Sequence, residues 1–222
     1  MKRTFGLAAA VALVIGVIQA QGQSVIYTFA DATSDGWANS GFGSTPAATV
    51  ATIGSQNYIF LPLGGFQVGN VGHGNDGSDF FNTMAAAQAN PAGYNVSYDW
   101  YVNSAAFTGA TFLQLGSFVN DGSGDYSQDF PASGKEVELN GTQLASGQVF
   151  SGHVSVNMGA AGLTLATPGQ TFYRLGLIEN GNGTGTGVYF TNISVAPVPE
   201  PGSLALIGLG MASLIMIRRR HS

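Results

Sequence analysis

Few side chains in this sequence could do chemistry, and their types narrow what that chemistry can be. There is no cysteine, and of three histidines only His73 and His153 lie away from the chain ends. Thiolate nucleophiles, disulfides and Cys-ligated metals are thereby excluded. A serine–histidine–acid site needs a nucleophile held against an imidazole, and no Gly-x-Ser-x-Gly elbow accompanies either histidine. His73 falls in a Gly-Asn loop, and His153 sits on the side of its segment opposite Val154, Val156 and Met158. Carboxylates cluster as Asp76 with Asp79 and as Asp121, Asp125 and Asp129, but each stands beside Gly, Asn or Ser. That is the setting of turn-forming aspartates more than of a glycosidase acid pair. Two of these loops, Asn75-Asp76-Gly77-Ser78-Asp79 and Asn120-Asp121-Gly122-Ser123-Gly124-Asp125, are near copies rich in oxygen ligands. Calcium is the ion they would suit, although neither has the closing Glu of an EF-hand. Non-covalent contact with sugars needs exposed aromatic faces instead. Trp37, just after a turn, and Tyr101, on the outward register of a strand, are the candidates, with Tyr58 and Tyr126 as contributors. The expectation is a protein without catalytic residues or a cofactor.

The elements that must position these residues read as β-strands. Glycine accounts for 33 of 222 residues and charged residues for only 9%. Long helical periodicities are absent, and several segments alternate with period two. In Tyr94 to Val102 the pattern turns Tyr94, Val96, Tyr98, Trp100 and Val102 to the core and Asn95, Ser97, Asp99 and Tyr101 outward. Further strands are expected at 25–29, 48–53, 57–61, 111–119, 149–158, 172–178 and 188–195, separated by turns such as Asn180-Gly181-Asn182-Gly183. One short helix is expected, Thr83 to Ala89, capped by Asn82. Many short strands with no linker between residues 24 and 195 predict an all-β fold, a single antiparallel β-sandwich spanning residues 21–196.

Both chain ends read as addresses. Lys2 and Arg3, the apolar run Phe5 to Ile18 and the small residue Ala20 have the layout of a signal peptide over residues 1–20, cut after Ala20. At the other end Val198-Pro199-Glu200-Pro201 precedes an uncharged segment, 203–217, and then Arg218, Arg219 and Arg220. Fifteen helical residues would span about 22 Å, short of the ~30 Å hydrocarbon core, so the segment suits a temporary stop in the inner membrane. The arginines would remain cytoplasmic, with the body exported. Without the ends, residues 21–198 keep only Lys135 and Arg174 against eleven acids, a formal charge of −9. Nucleic acid and anionic lipid surfaces are unsuited to such a body, which lacks clustered Lys/Arg.

The tail, from its Pro-Glu-Pro element through the apolar segment to the arginines, resembles the PEP-CTERM sorting signal of Gram-negative bacteria. The resemblance implies recognition of Pro199, Glu200 and Pro201 by an exosortase, a membrane protease-transpeptidase. It further implies anchoring by 203–217 until cleavage, then release to the cell surface or matrix, in organisms that make exopolysaccharide and biofilm. Two prolines hold that backbone extended, as a protease requires. The body is similar, over fewer residues, to jelly-roll carbohydrate-binding modules: Tyr27-Thr28-Phe29-Ala30-Asp31 with Asp35-Gly36-Trp37 at its start, and Val188 to Val195 at its end. Those modules commonly carry an Asp-Asn pair in the last strand, whose Asp helps hold a structural calcium. Here Thr191 precedes Asn192, which removes that ligand. The sequence therefore leads to an exported surface or matrix protein engaged in adhesion or exopolysaccharide association. A carbohydrate-binding module with a defined glycan site is the alternative.

Overall fold

A computed structural model describes residues 22–39, 47–63, 67–73, 77–121, 126–129, 136–166 and 170–199. Residues Gln23–Ala196 form one compact unit, and the chain ends fall outside it. Among the described residues the strands are β1 (Val25–Tyr27), β2 (Ala38–Asn39), β3 (Thr49–Ile53), β4 (Gln56–Pro62), β5 (Gln67–His73), β6 (Tyr94–Asn103), β7 (Phe107–Thr108), β8 (Phe112–Asn120), β9 (Tyr126–Asp129), β10 (Val137–Asn140), β11 (Val149–Asn157), β12 (Phe172–Gly181), β13 (Thr184–Gly185) and β14 (Gly187–Pro197). One sheet has the order β11-β6-β14-β4-β3, with β1 also on β14; the other runs β10-β8-β12-β5-β2, with β9 also on β8. Among the longer strands β4, β5, β6, β8, β11, β12 and β14, each one lies in the sheet opposite its predecessor. That alternation is a jelly roll, and the fold is an antiparallel β-sandwich as the sequence predicts.

β6 obeys its pattern at every position: Tyr94, Val96, Tyr98, Trp100 and Val102 are buried, and the residues between them are partly exposed. Its neighbour β11 pairs Gly152 with Trp100 and His153 with Asp99. A Cβ on Gly152 would come within 3.0 Å of the Trp100 indole nitrogen, so glycine makes room for the ring. The main core joins Ile59, Leu61, Tyr98, Val102, Leu113, Leu115, Leu177, Val188, Phe190 and Ile193 between the sheets. Each such side chain stabilises the fold by about 1.5–3 kcal/mol.

A second cluster closes one end of the sandwich beneath helix α1 (Asp79–Ala89), where Phe80, Met84 and Ala87 meet Tyr94, Val119, Tyr173, Leu175 and Val195. The helix begins four residues before the predicted Thr83. Ser78, and not Asn82, caps it, accepting from the Phe81 N–H at 3.1 Å. Gln88 ties the helix to the following loop, donating to Leu163 O at 3.0 Å and accepting from Leu165 N at 2.8 Å. Between the sheets, the Glu136 carboxylate accepts from the hydroxyls of Tyr98 and Ser117, joining β6 to β8.

Candidate functional site

The outward face of the β11-β6-β14-β4-β3 sheet carries the features that could meet a ligand. Period-two alternation sends Tyr58 and Phe60 of β4, Tyr189 of β14 and Tyr101 of β6 to that face, opposite the buried Ile59, Leu61, Phe190 and Trp100. Their rings form a continuous group, each partly exposed. Phe60 and Tyr189 lie 4.9 Å apart, Tyr101 and Tyr189 5.9 Å, Tyr58 and Tyr101 6.1 Å, and Tyr58 and Tyr189 6.4 Å between centroids. Tyr189 meets Tyr58 and Tyr101 edge to face, while the other two pairs are tilted, and rings at such spacings attract one another, which favours these orientations before any ligand arrives. Thr186 and Tyr189 hydroxyls meet at 3.3 Å at one border of the group.

A polar row adjoins the rings. Asp99 lies two residues before Tyr101 on the same face of β6, and both its oxygens are engaged. Its Oδ1 meets His153 Nδ1 at 2.6 Å, and its Oδ2 accepts from Asn192 Nδ2 at 2.5 Å. The imidazole is 61% exposed and the Asp99 side chain 35%. The row continues in Ser97 and Ser155, whose hydroxyls lie 3.1 Å apart across the two strands. Burial pushes the Tyr58 phenol above its ordinary pKa, and the nearby Asp99 charge and Tyr101 add to the rise. Asn192 reaches Asp99 from a left-handed backbone, φ +49°, at a point where β14 holds one residue more than strict alternation allows between Phe190 and Ile193. The arrangement offers apolar ring faces beside a fixed hydrogen-bond acceptor. The hydroxyls of Ser97 and Ser155 lie along the same face.

The sequence candidates divide. Tyr101 and Tyr58 belong to this ring group, which also contains Phe60 and Tyr189. Sequence reasoning passed over the latter two because they alternate with core residues in strands valued only for their core side. Trp37 is a correction: it is fully buried, packed edge-on against Tyr27 at 5.6 Å and Phe29 at 6.4 Å. The turn before it reverses the chain through left-handed Asp35 and Gly36 and is closed by Trp37 N–H to Ser34 O at 2.7 Å, delivering the indole inward. Tyr126 begins β9 in the opposite sheet, and His73 ends β5 there. Of the two aspartate loops, Asp79 starts helix α1 and Asp121 is buried, while Asp76 and Asp125 lie outside the described residues. Among the described residues no group of three His, Cys, Asp or Glu could hold a metal ion. Pro199 is exposed, whereas the signal segment with Ala20, Glu200, Pro201, the apolar segment 203–217 and Arg218 to Arg220 lie outside the described residues. No helix among the described residues is long and apolar enough to cross a membrane.

Fold and site together define a jelly-roll sandwich with a ring-lined outer face, followed by a proline-bounded tail. Residues 197–220 match the PEP-CTERM protein-sorting motif. The chain carries that signal, which marks it for export and for membrane-anchored exosortase processing. No curated protein matches the sequence. Solved structures with a similar chain path include a CBM28 module specific for non-crystalline cellulose, with a TM-score of 0.46 and 14% identity over 75% of this chain and 90% of that one. A family 22 module of Clostridium thermocellum Xyn10B gives a TM-score of 0.43 and 12% identity over 81% and 97%. CBM27-1 of Caldicellulosiruptor saccharolyticus, solved with mannohexaose, gives 0.40 and 10% over 77% and 95%.

Proposed function

We propose that this exported protein is a non-enzymatic component of the cell surface or matrix that associates with a neutral polysaccharide through the outer face of β4, β14 and β6. The observation that carries the reading is the ring group Tyr58, Phe60, Tyr101 and Tyr189 beside a carboxylate held on both oxygens. Pyranose faces are apolar and stack on aromatic rings, while their hydroxyls donate to fixed acceptors such as Asp99. A body with a formal charge of −9 and Asp99 at the site repels carboxylated or sulfated chains, which supports a neutral ligand. The fixed polar row favours a defined glycan site over loose adhesion, because an acceptor locked in place selects hydroxyl positions.

Affinity electrophoresis of the exported protein through gels with neutral or uronic-acid polysaccharides tests this. Retardation by a neutral chain is the expected result, and retardation only by the acidic chain counts against it. Sorting is tested separately by the intact mass of the protein recovered outside the cell. A C-terminus between Pro199 and Pro201 is expected, and retention of residues 204–222 would leave a plain membrane anchor.

A further inference from the structure

The resemblance to jelly-roll modules implies a structural calcium where the last strand meets the start of the body, and the residues at that junction do not fit one. Gln56 Nε2, at the head of β4, donates toward Thr28 O at 3.5 Å, Asn57 O at 3.2 Å and Thr191 Oγ1 at 3.1 Å. Asn57 Nδ2 donates to Phe29 O at 2.9 Å and to Ala30 O at 3.4 Å, its own oxygen held by the Thr52 hydroxyl at 2.7 Å. Thr191 Oγ1 donates to Thr28 O at 3.4 Å. Backbone carbonyls can only accept, so both amides must turn their N–H groups toward this collection of oxygens. Calcium in such a place takes six or more oxygens, normally with carboxylates among them. Thr191 supplies a hydroxyl where the family has Asp. Asp31 turns instead to Thr33, whose N–H and hydroxyl reach its Oδ1 at 3.0 and 2.8 Å.

We infer that the amides of Gln56 and Asn57 do at this junction what a bound cation would otherwise do, and that Gln56, through Thr191, sets the irregular turn of β14 that presents Asn192 to Asp99. The physical reason is local. Phe29 holds a left-handed φ of +56°, and its carbonyl, which already accepts from Ala32 N–H at 2.9 Å inside the turn, takes a second hydrogen bond from Asn57 that ties the turn to β4. Thr191 is buried and bonded on the inner side, so the extra residue emerges as Asn192 on the outer side, with φ +49° and its amide on Asp99. Gln56 is therefore a positioning residue for the ring-lined face, and this junction holds its shape without calcium. The link to the site rests on the glycan reading, but the junction itself does not.

Thermal melting of the exported protein in EDTA and in millimolar calcium tests the junction without any glycan. Equal melting temperatures in the two are expected; a rise with calcium or a fall with EDTA would overturn the inference. Gln56→Glu places a carboxylate among carbonyls and should lower Tm by roughly 5 °C in EDTA, with calcium restoring part of the loss. A variant melting like the wild type in EDTA would show that the amide holds nothing. In the folded Gln56→Ala protein the side-chain amide resonance of Asn192 should move, and an unmoved resonance would break the link to Asp99. Loss of all glycan binding in the wild type would overturn the proposed function and leave the melting result standing.

Discussion

Two aromatic groups in this molecule, made from similar residues, have opposite fates. Tyr27, Phe29 and Trp37 pack into the main core, with Phe29 and Trp37 fully buried. Tyr58, Phe60, Tyr101 and Tyr189 lie on the outer face of a sheet and touch one another without being covered. What separates the two groups is the backbone that delivers them. A turn with two left-handed residues throws Trp37 inward, whereas strict strand alternation sends the four rings outward. The buried group is set to carry stability, the exposed group to carry contact.

That division can be broken from either side. Trp37→Ala should cost about 3–5 kcal/mol in chemical denaturation, the range for removing a large buried ring. Trp37→Phe should cost much less, since the indole N–H has no hydrogen-bond partner among the described residues. If Trp37→Ala left stability intact and abolished glycan retention, the roles of the two groups would be reversed. Tyr101→Ala and Tyr189→Ala should each weaken retention about tenfold, or about 1.4 kcal/mol. Their effect on stability should be about 1 kcal/mol or less, checked by the same denaturation curves. Asp99→Asn keeps the shape but removes the charge, so it should weaken neutral-glycan retention a few-fold and relax rejection of uronic-acid chains. Paired gels measure both effects.

The smallest expected effect is electrostatic. Hydrogen bonds from Thr33, backbone first and side chain second, hold the Asp31 carboxyl below its usual range. A lowered folded pKa gives a contribution present above the unfolded value and lost as pH falls through the folded one. Thr33→Ala should shift the Asp31 titration upward in an NMR pH series, with little change in fold.

Much of the fold can be read in the sequence, because β6 shows unbroken alternation and each inward prediction there is met by a buried side chain. β5, β9 and β10 could not be read the same way. Gln67 to His73 interleaves two valines with two glycines, and Tyr126 to Asp129 and Val137 to Asn140 are too short to show a period. Such strands exist by pairing with β8 and β12, an influence that no local pattern contains. Helix α1 starts early for a related reason: Asp79 and Phe80 read as loop residues until Ser78 caps them. The site was half visible. Tyr101 and Tyr58 follow from register, but their convergence with Tyr189 and Phe60 depends on β14 lying between β6 and β4, and strand order is not written in spacing. His153 reads as a solvated strand residue and is one, yet its contact with Asp99 needs the β6–β11 register.

The most direct measurement of the central claim compares the exported protein with a Tyr101→Ala/Tyr189→Ala double variant. Both would be run through gels containing a neutral polysaccharide, with melting temperatures recorded in parallel. Retardation of the wild type, its loss in the double variant and closely similar melting temperatures are the predicted result. Equal retardation of the two proteins would contradict the account.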